Sequence, residues 1–398
     1  MPDATATGSA VPIALKIRPA VIRVWTNQAM APGTRATSNS CGTPALRPTI
    51  QPKAWRRISA SMCSARWPEA NWATDRAMPP TASVEMKDGT SATTLILADI
   101  LQQAGLPAGV YNVVTGAGRV IGQALAEHPD VDMLSFTGST AVGRTCVQAS
   151  AASNLKKLGL ELGGKNPIVV FADSNLDDAA GGAAFGISFN TGQCCVSSSR
   201  LIVERSVAPE FERILARKMA QIRVGDPLDP RTQVGAITTA AQNDTILGYI
   251  EKGKQEGAKI VYGGGPLDLG RGQFIQPTLF SGVAPSMSIA RDEIFGPVLS
   301  SFHFDTIEEA ITLANDTVYG LAASVWTSNL NKALTVTRRV RAGRFWVNTI
   351  MAGGPETPAG GFKQSGWGRE TGVLGVEEYT QVKAVHVDIG PRAHWIES

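Results

Sequence analysis

The sequence predicts an α/β protein built on parallel β-sheet. Two observations carry this. Between residues 93 and 152, segments with helical spacing alternate with short apolar runs that read as buried strands, the order that places helices on the faces of a parallel sheet. Glycine-containing turns sit at the strand ends, where the chain swings into the next helix.

The elements follow in order. Thr93 to Ala104 has the apolar spacing of an amphipathic helix, and Gly105-Leu106-Pro107 stops it. Gly109 to Val114 reads as a buried strand, and a helix from about Arg119 to Glu127 follows. Val131 to Phe136 is the next strand. It runs into Thr137-Gly138-Ser139-Thr140-Ala141-Val142-Gly143-Arg144 and a helix to about Ala152, an order that resembles part of a dinucleotide-binding domain. Pro167 to Phe171 is a strand, and the helix from Leu176 to Phe189 sets Leu176, Ala180, Ala183, Ala184 and Ile187 at helical spacing. Arg200 to Val203 is a strand, Pro209 to Ala220 an amphipathic helix and Val224 to Pro230 a surface turn cluster. Ala240 to Glu256 is helical up to Gly257, and Lys259 to Tyr262 is a strand. Helices at Ile307 to Asn315 and Leu330 to Val340 lead to a strand from Arg344 to Asn348. No repeat of about 20 to 50 residues recurs, which excludes a solenoid.

Residues 1–88 do not share this pattern. They hold 10 of the 23 prolines, four of the eight tryptophans and five acidic residues against 11 Lys and Arg, without a sustained period, so no element is placed there. An acid-poor, Arg-containing start superficially resembles a transit peptide, but this one is too long and too rich in Pro and Trp. The abrupt change at Thr90 is what a shifted reading frame returning to register near Gly89 would leave.

Composition excludes several classes. With 43% hydrophobic and 18% charged residues over 398 positions, the chain can bury a large core and is neither disordered nor fibrous. A net charge of +3 with no basic stripe gives nucleic acid no footprint. No apolar run approaches the roughly 20 residues of a membrane span. The N-terminus lacks the apolar core of a secretory signal, so a cytoplasmic protein is expected. Five cysteines without a CxxC, and the scattered His128, His303, His386 and His394, suggest no disulfide framework, no metal site and no histidine base.

Five strings bear chemistry. Residues 188–200, Ser-Phe-Asn-Thr-Gly-Gln-Cys-Cys-Val-Ser-Ser-Ser-Arg, form a helix-to-strand loop that delivers Cys195; on the loop alone a buried structural thiol is an equal reading. Upstream, Leu160-Glu161-Leu162-Gly163-Gly164-Lys165-Asn166-Pro167 ends an apolar strand on a carboxylate and two glycines. A cysteine that forms a thioester needs a group to activate the releasing water, and Glu161 can do that work. Phe136-Thr137-Gly138-Ser139-Thr140 leaves backbone N–H groups at a helix N-terminus for a pyrophosphate, or is an ordinary turn capped by Ser139 or Thr140. Gly116-Ala117-Gly118 with Gly122 comes close to GxGxxG but has one residue too many and lacks a ribose-gripping acid. Asp292-Glu293-Ile294-Phe295-Gly296-Pro297-Val298 sets a carboxylate beside an aromatic, suited to ribose hydroxyls and a flat ring. Read alone, a helix-dipole acid and a core phenylalanine are the simpler account.

Together these strings resemble the aldehyde dehydrogenase superfamily. The matching residues are Glu-Leu-Gly-Gly-Lys-Asn-Pro at 161–167, Phe-Asn-x-Gly-Gln-x-Cys at 189–195, Glu-Ile-Phe-Gly-Pro-Val at 293–298 and Pro-x-Gly-Gly-x-Lys-x-Ser-Gly-x-Gly-Arg-Glu at 358–370. The resemblance covers roughly residues 90–390. It implies an aldehyde dehydrogenase-like α/β fold of two parallel-sheet domains, the N-terminal cofactor domain incomplete. The implied division is a non-family segment 1–88, a partial NAD(P)-binding domain 89–163, a catalytic domain 164–366, and a return over 367–398. That return ends in the strand-like 379–389, which in relatives extends a sheet into a neighbouring subunit of a homo-oligomer.

The resemblance also implies roles. Cys195 is the nucleophile and Cys194 a neighbour that packs; Glu161 is the general base; Glu370 belongs to a water or proton path, or to a structural ion pair. NAD or NADP is implied at Gly116, Gly118, Gly138, Ser139, Thr140, Gly143, Glu293 and Phe295. A small aldehyde is implied as substrate, leaving as the acid through a thiohemiacetal and a thioester. The family's Pro-Trp-Asn-Phe-Pro string, whose Asn completes the oxyanion hole, is absent. Counted back without gaps, the family's ribose-gripping Lys and acid fall on Glu85 and Asp88, and neither is assigned to cofactor. The alternative reading is an impaired chain that keeps a packed catalytic domain and serves as a binding or structural protein.

Overall fold

The computed structural model describes residues 13–17, 21–25, 82–86 and 91–387. Two large sheets organise them. The first has six strands: β2 (Val21–Trp25), β3 (Ala82–Met86), β4 (Tyr111–Thr115), β5 (Met133–Thr137), β6 (Lys157–Glu161) and β16 (Gly366–Trp367), in the order β16-β6-β5-β2-β3-β4. All are parallel except β16, which runs antiparallel to β6 at one edge. Helices α1 (Ser91–Gln103), α2 (Ile121–Glu127) and α3 (Thr140–Ala152) make the crossovers.

The sequence reading places no element in residues 1–88, whereas the described residues there form three strands. Val-Ile-Arg-Val-Trp, at 21–25, is β-branched and aromatic, the composition that fits a pleated strand. It lies between β3 and β5, pairing Trp25 with both Met86 and Thr137. β1 (Ile13–Ile17) pairs antiparallel with β17 (Gln381–Val385), Ile13 opposite Val385, so the strand expected near 379–389 is present. Asp88 lies outside the described residues.

The second sheet has seven strands: β7 (Pro167–Val170), β8 (Arg200–Glu204), β9 (Lys259–Tyr262), β12 (Thr278–Ser281), β13 (Val298–Phe304), β14 (Ala322–Trp326) and β15 (Arg344–Val347), in the order β15-β14-β7-β8-β13-β12-β9. Only β9 is antiparallel, again at an edge. The short pair β10 (Pro266–Leu267) and β11 (Phe274–Ile275), which the sequence reading does not resolve, forms its own two-stranded ribbon. The apolar strands split their side chains between two cores, because successive residues face opposite sides. Ile168, Val170, Leu201, Val203 and Leu299 pack with α4 (Leu176–Ser188) and α5 (Ala208–Ala220). Val169, Ile202, Phe302 and Val325 pack on the other side with α6 (Ala240–Gln255), α7 (Ser288–Arg291), α8 (Ile307–Asn315) and α9 (Leu330–Arg339). Phe211, fully buried on α5, contributes about 2–3 kcal/mol of transfer free energy by itself.

Local chemistry fixes the helix that leads to the cysteine. Asn175 caps α4 by accepting the N–H groups of Asp177 and Asp178. Ala179, Ala180, Ala183 and Ala184 let α4 lie close on the sheet, and a Cβ on Gly182 would stand 2.4 Å from Trp326. Helix α4 can sit this close because the middle of its contact face carries only Ala and Gly, with the larger Ile187 packed near its C-terminal end. Among the described residues no helix is long and apolar enough to cross a membrane.

Candidate active site

Parallel strands end on the same edge of their sheet, so the first sheet brings the ends of β4, β5 and β6 to one side. Glu161, the last residue of β6, is in register with Thr137 at the end of β5, and the Gly138 N–H donates to the Glu161 carbonyl at 3.0 Å. The carboxylate-bearing strand end and the Gly138 turn are therefore one structure. Ser139 is the cap of α3, accepting the Val142 N–H at 3.3 Å. Thr140 Oγ1 donates to the Gln364 carbonyl at 3.1 Å. No acidic residue stands in the first turn of α3, so the positive end of its dipole is not neutralised locally. Gly143 packs: a Cβ there would lie 2.7 Å from a Leu162 methyl. Gly116 and Gly118 follow β4, three strands from β5, about 14 Å across the sheet. The two glycine clusters share an edge but do not meet.

The cysteine loop is built from left-handed backbone. Asn190 (φ 50), Thr191 (φ 59) and Gly192 (φ 67) turn the chain after α4, and Asn190 Nδ2 donates to the Gln193 carbonyl at 2.9 Å. A second turn follows, closed by the Ser197 N–H to the Cys194 carbonyl at 2.9 Å, with Cys195 inside it. Buried Gln193 anchors the loop by accepting the Thr238 N–H at 3.1 Å. Cys195 is half-buried, and its thiol is hydrogen-bonded to that of Cys194. That bond, burial, and the nearby carboxylates of Glu293 and Glu161 push the Cys195 thiol well above its ordinary range, since each disfavours a thiolate there.

Glu293 reaches the same place from a third segment. Its Oε1 accepts the Gly164 N–H at 3.0 Å, and a Cβ on Gly163 would stand 2.2 Å from its Oε2, so the paired glycines make room for the carboxylate. Burial pushes the carboxyl up to about 7, against the Gly164 N–H and the Lys165 charge, which pull it down. Phe295 (φ 55) follows in left-handed backbone. Buried Gln242 on α6 holds this loop, donating to the carbonyls of Ile294 at 2.9 Å and Phe295 at 3.1 Å. The cysteine loop and this loop touch backbone to backbone: a Cβ on Gly192 would lie 2.3 Å from the Gly296 carbonyl carbon.

Glu370 stands on the far side of Glu161. Its Oε1 accepts the Ser135 hydroxyl at 3.0 Å, and its backbone bridges to Ala359. Glu161, Ser135 and Glu370 line one cavity of about 10 Å³, the size of a single water.

Two residues beneath the glycines have no counterpart among the sequence candidates. Lys165 is 1% exposed, its amine makes no hydrogen bond among the described residues, and burial with the Arg200 charge lowers it to about 7. Arg200, buried too, donates to the carbonyls of Lys165, Leu313 and Ala314, closing the C-terminus of α8. Gln242 and Arg200 carry no local signal, because their partners lie far away in sequence.

A parallel-sheet edge with a capped helix start, joined to a cysteine loop flanked by two carboxylates, defines the class. The aldehyde dehydrogenase family model matches residues 80–385, and the chain belongs to that family. It is 46% identical over 309 residues to aldehyde dehydrogenase 1A1 of Gallus gallus, covering 78% of this chain and 60% of that protein. With the mitochondrial aldehyde dehydrogenase of Homo sapiens it shares 45% over 307 residues, 77% of this chain and 59% of that protein. The chain thus spans about 60% of the length of these relatives. Among solved structures, an NAD-dependent aldehyde dehydrogenase from Sinorhizobium meliloti superposes with a TM-score of 0.83 at 38% identity, over 99% of this chain and 72% of that one. An indole-3-acetaldehyde dehydrogenase complexed with NAD+ gives 0.81 at 36%, over 97% of this chain and 72% of that one.

Proposed function

We propose that the chain oxidises an aldehyde to the carboxylic acid with NAD or NADP, Cys195 serving as nucleophile and Glu161 as general base. The observation that carries this is the meeting of three separate segments: Gly164, three residues after Glu161, donates its N–H to Glu293 and lies against the Cys195 carbonyl. The thiol is protonated at neutral pH, so its proton must leave as it attacks, and Glu161 receives it. NAD(P), when bound, accepts the hydride that converts the Cys195 thiohemiacetal to a thioester. Glu161 first gives up the thiol proton through Glu370; as a carboxylate again it takes a proton from water, the hydroxide adds to the thioester carbonyl and displaces the Cys195 thiolate, and the acid leaves. Glu370, across the water-sized cavity from Glu161, passes that proton outward.

The donors suit the cofactor. In this reading the N–H groups of Ser139 and Thr140, at the start of α3, would hold the pyrophosphate, with Gly138 shaping the turn and Gly143 packed behind it on Leu162; Glu293 would take ribose hydroxyls, Phe295 would lie against the nicotinamide, and Gly116 and Gly118 would border the site. Residues 89–163 and 367–398 form the cofactor half and 164–366 the catalytic half. The chain works in the cytoplasm as a homo-oligomer through 379–389.

A second reading, an impaired chain that binds but does not turn over, is favoured by one observation. The Pro-Trp-Asn-Phe-Pro string is absent, and losing one oxyanion donor costs about 10²- to 10³-fold in rate. Titration of the purified chain with NAD and NADP, followed by tryptophan quenching, separates the two. Saturable binding, turnover abolished in Cys195→Ala and slowed deacylation in Glu161→Gln support the enzyme. Absence of binding refutes it.

A further inference from the structure

We infer that Asn166 is the positioning residue of the nucleophile: its side-chain amide clamps the turn that carries Cys195 and sets the direction of the thiol. The inference rests on the reading of Cys195 as nucleophile.

Asn166 is 2% exposed and stands just before β7. Its Nδ2 donates to the Cys195 carbonyl at 2.9 Å and to the Ser197 carbonyl at 2.8 Å, so one amide bridges the turn closed between Cys194 and Ser197. Its Oδ1 accepts the Ala322 N–H, at the start of β14, at 2.9 Å. Both amide protons and the amide oxygen are therefore engaged, and rotating the amide would set oxygen against two carbonyls and NH2 against an N–H. The Cys195 carbonyl is confined from a second direction: a Cβ on Gly164 would stand 2.4 Å from that oxygen. Two residues of one string, Gly164 and Asn166, thus seat a single atom of the nucleophile loop. The same string carries Glu161, so the base and the clamp of the nucleophile share one short piece of chain.

The geometry accepts few substitutes. Glutamine adds a methylene to a closed site, and aspartate turns the double donor into an acceptor facing two carbonyls.

The test is Asn166→Asp, read by iodoacetamide labelling of Cys195 across pH, located by fragment-resolved mass spectrometry, beside kcat, KM and nucleotide affinity. A displacement of about 1 Å costs about 10²-fold, so labelling and kcat should fall by about that factor at neutral pH, with KM and nucleotide affinity little changed. As pH falls the introduced carboxyl gains a proton, and with it one donor. The gap from the parent chain should then narrow toward acid, which a purely structural defect would not do. Labelling and turnover equal to the parent at every pH overturn the inference, as does a pH-independent loss accompanied by loss of nucleotide binding. If Asn166→Asp does not fold, Asn166→Ser, smaller and still a donor, replaces it: an intermediate labelling rate supports the clamp and a parental rate overturns it. Cys195→Ala separates the layers. Turnover surviving in Cys195→Ala refutes the nucleophile; turnover lost there but intact in Asn166→Asp refutes the clamp alone.

Discussion

Replacing Lys165 with methionine should stabilise the protein, and most strongly at and below neutral pH. The amine is 1% exposed, and burial and Arg200 together outweigh Glu293 and Asp292 to lower it from 10.5 to about 7. Below about 7 the amine is protonated in both folded and unfolded chains, and the folded state bears the full cost of a buried charge. Between about 7 and 10.5 the unfolded chain holds a proton that the folded chain has lost, so stability rises with pH across that window; above it the cost is gone. At about 1.4 kcal/mol per pH unit the whole window amounts to about 5 kcal/mol, of which about 3 falls between pH 7 and about pH 9.5. Glu293 acts in a separate window: its raised carboxyl makes stability fall between 4.5 and about 7, where the Lys165 effect begins. Methionine keeps the length of the side chain and removes the charge. Loss of the amine lets Glu293 stay protonated, so no carboxylate is stranded. Urea unfolding at the two pH values, followed by tryptophan fluorescence, should show the parent chain gaining about 3 kcal/mol over Lys165→Met as pH rises. Equal pH slopes for the two proteins, or a variant weaker than the parent at pH 7, would refute the reasoning.

Three further outcomes follow from contacts in and around the site. Gly192→Ala sets a Cβ against the Gly296 backbone in left-handed conformation, and should cost about 2 kcal/mol or more in urea unfolding. Gln242→Leu strands the Ile294 and Phe295 carbonyls at about 1–3 kcal/mol each, and nucleotide titration should show affinity weakened by about tenfold or more. Burial pushes the Glu212 carboxyl up, but hydrogen bonds from His303, Ser301 and Ser281 outweigh it and hold the group below its ordinary 4.5. Glu212→Gln should therefore cost about 1–3 kcal/mol at neutral pH, with the difference shrinking as pH falls below 4.5 on acid titration.

From Thr93 onward the sequence was legible where periodicity was strong: α1, α3, α4, α6 and α8 begin and end within a few residues of the expected positions. The short elements were not. β10 and β11 have two residues each, too few to carry a period, and β1 and β2 are five-residue runs among prolines that mask their composition. The strings around Cys195, Glu161 and Glu293 could be read for their chemistry, because each packs its polar groups into a few consecutive residues. Their neighbours could not. Asn166 meets Ala322, and Gln242 meets Phe295, only after the helices and strands between them have been assembled. The separation of Gly116 from Gly138 depends on strand order, which no local pattern states.

That order has a mechanical corollary. β3 and β4 form one ribbon, and β5, β6 and β16 another, and among the described residues β2 is the only strand that pairs with both. Cutting or deleting residues 21–25 would leave two half-sheets with nothing to fix their spacing. The gauge between the Gly116 and Gly138 turns is thus kept by a keystone that contains neither. A library that randomised these five residues would therefore test whether the two ribbons stay joined, while leaving every residue of the site untouched.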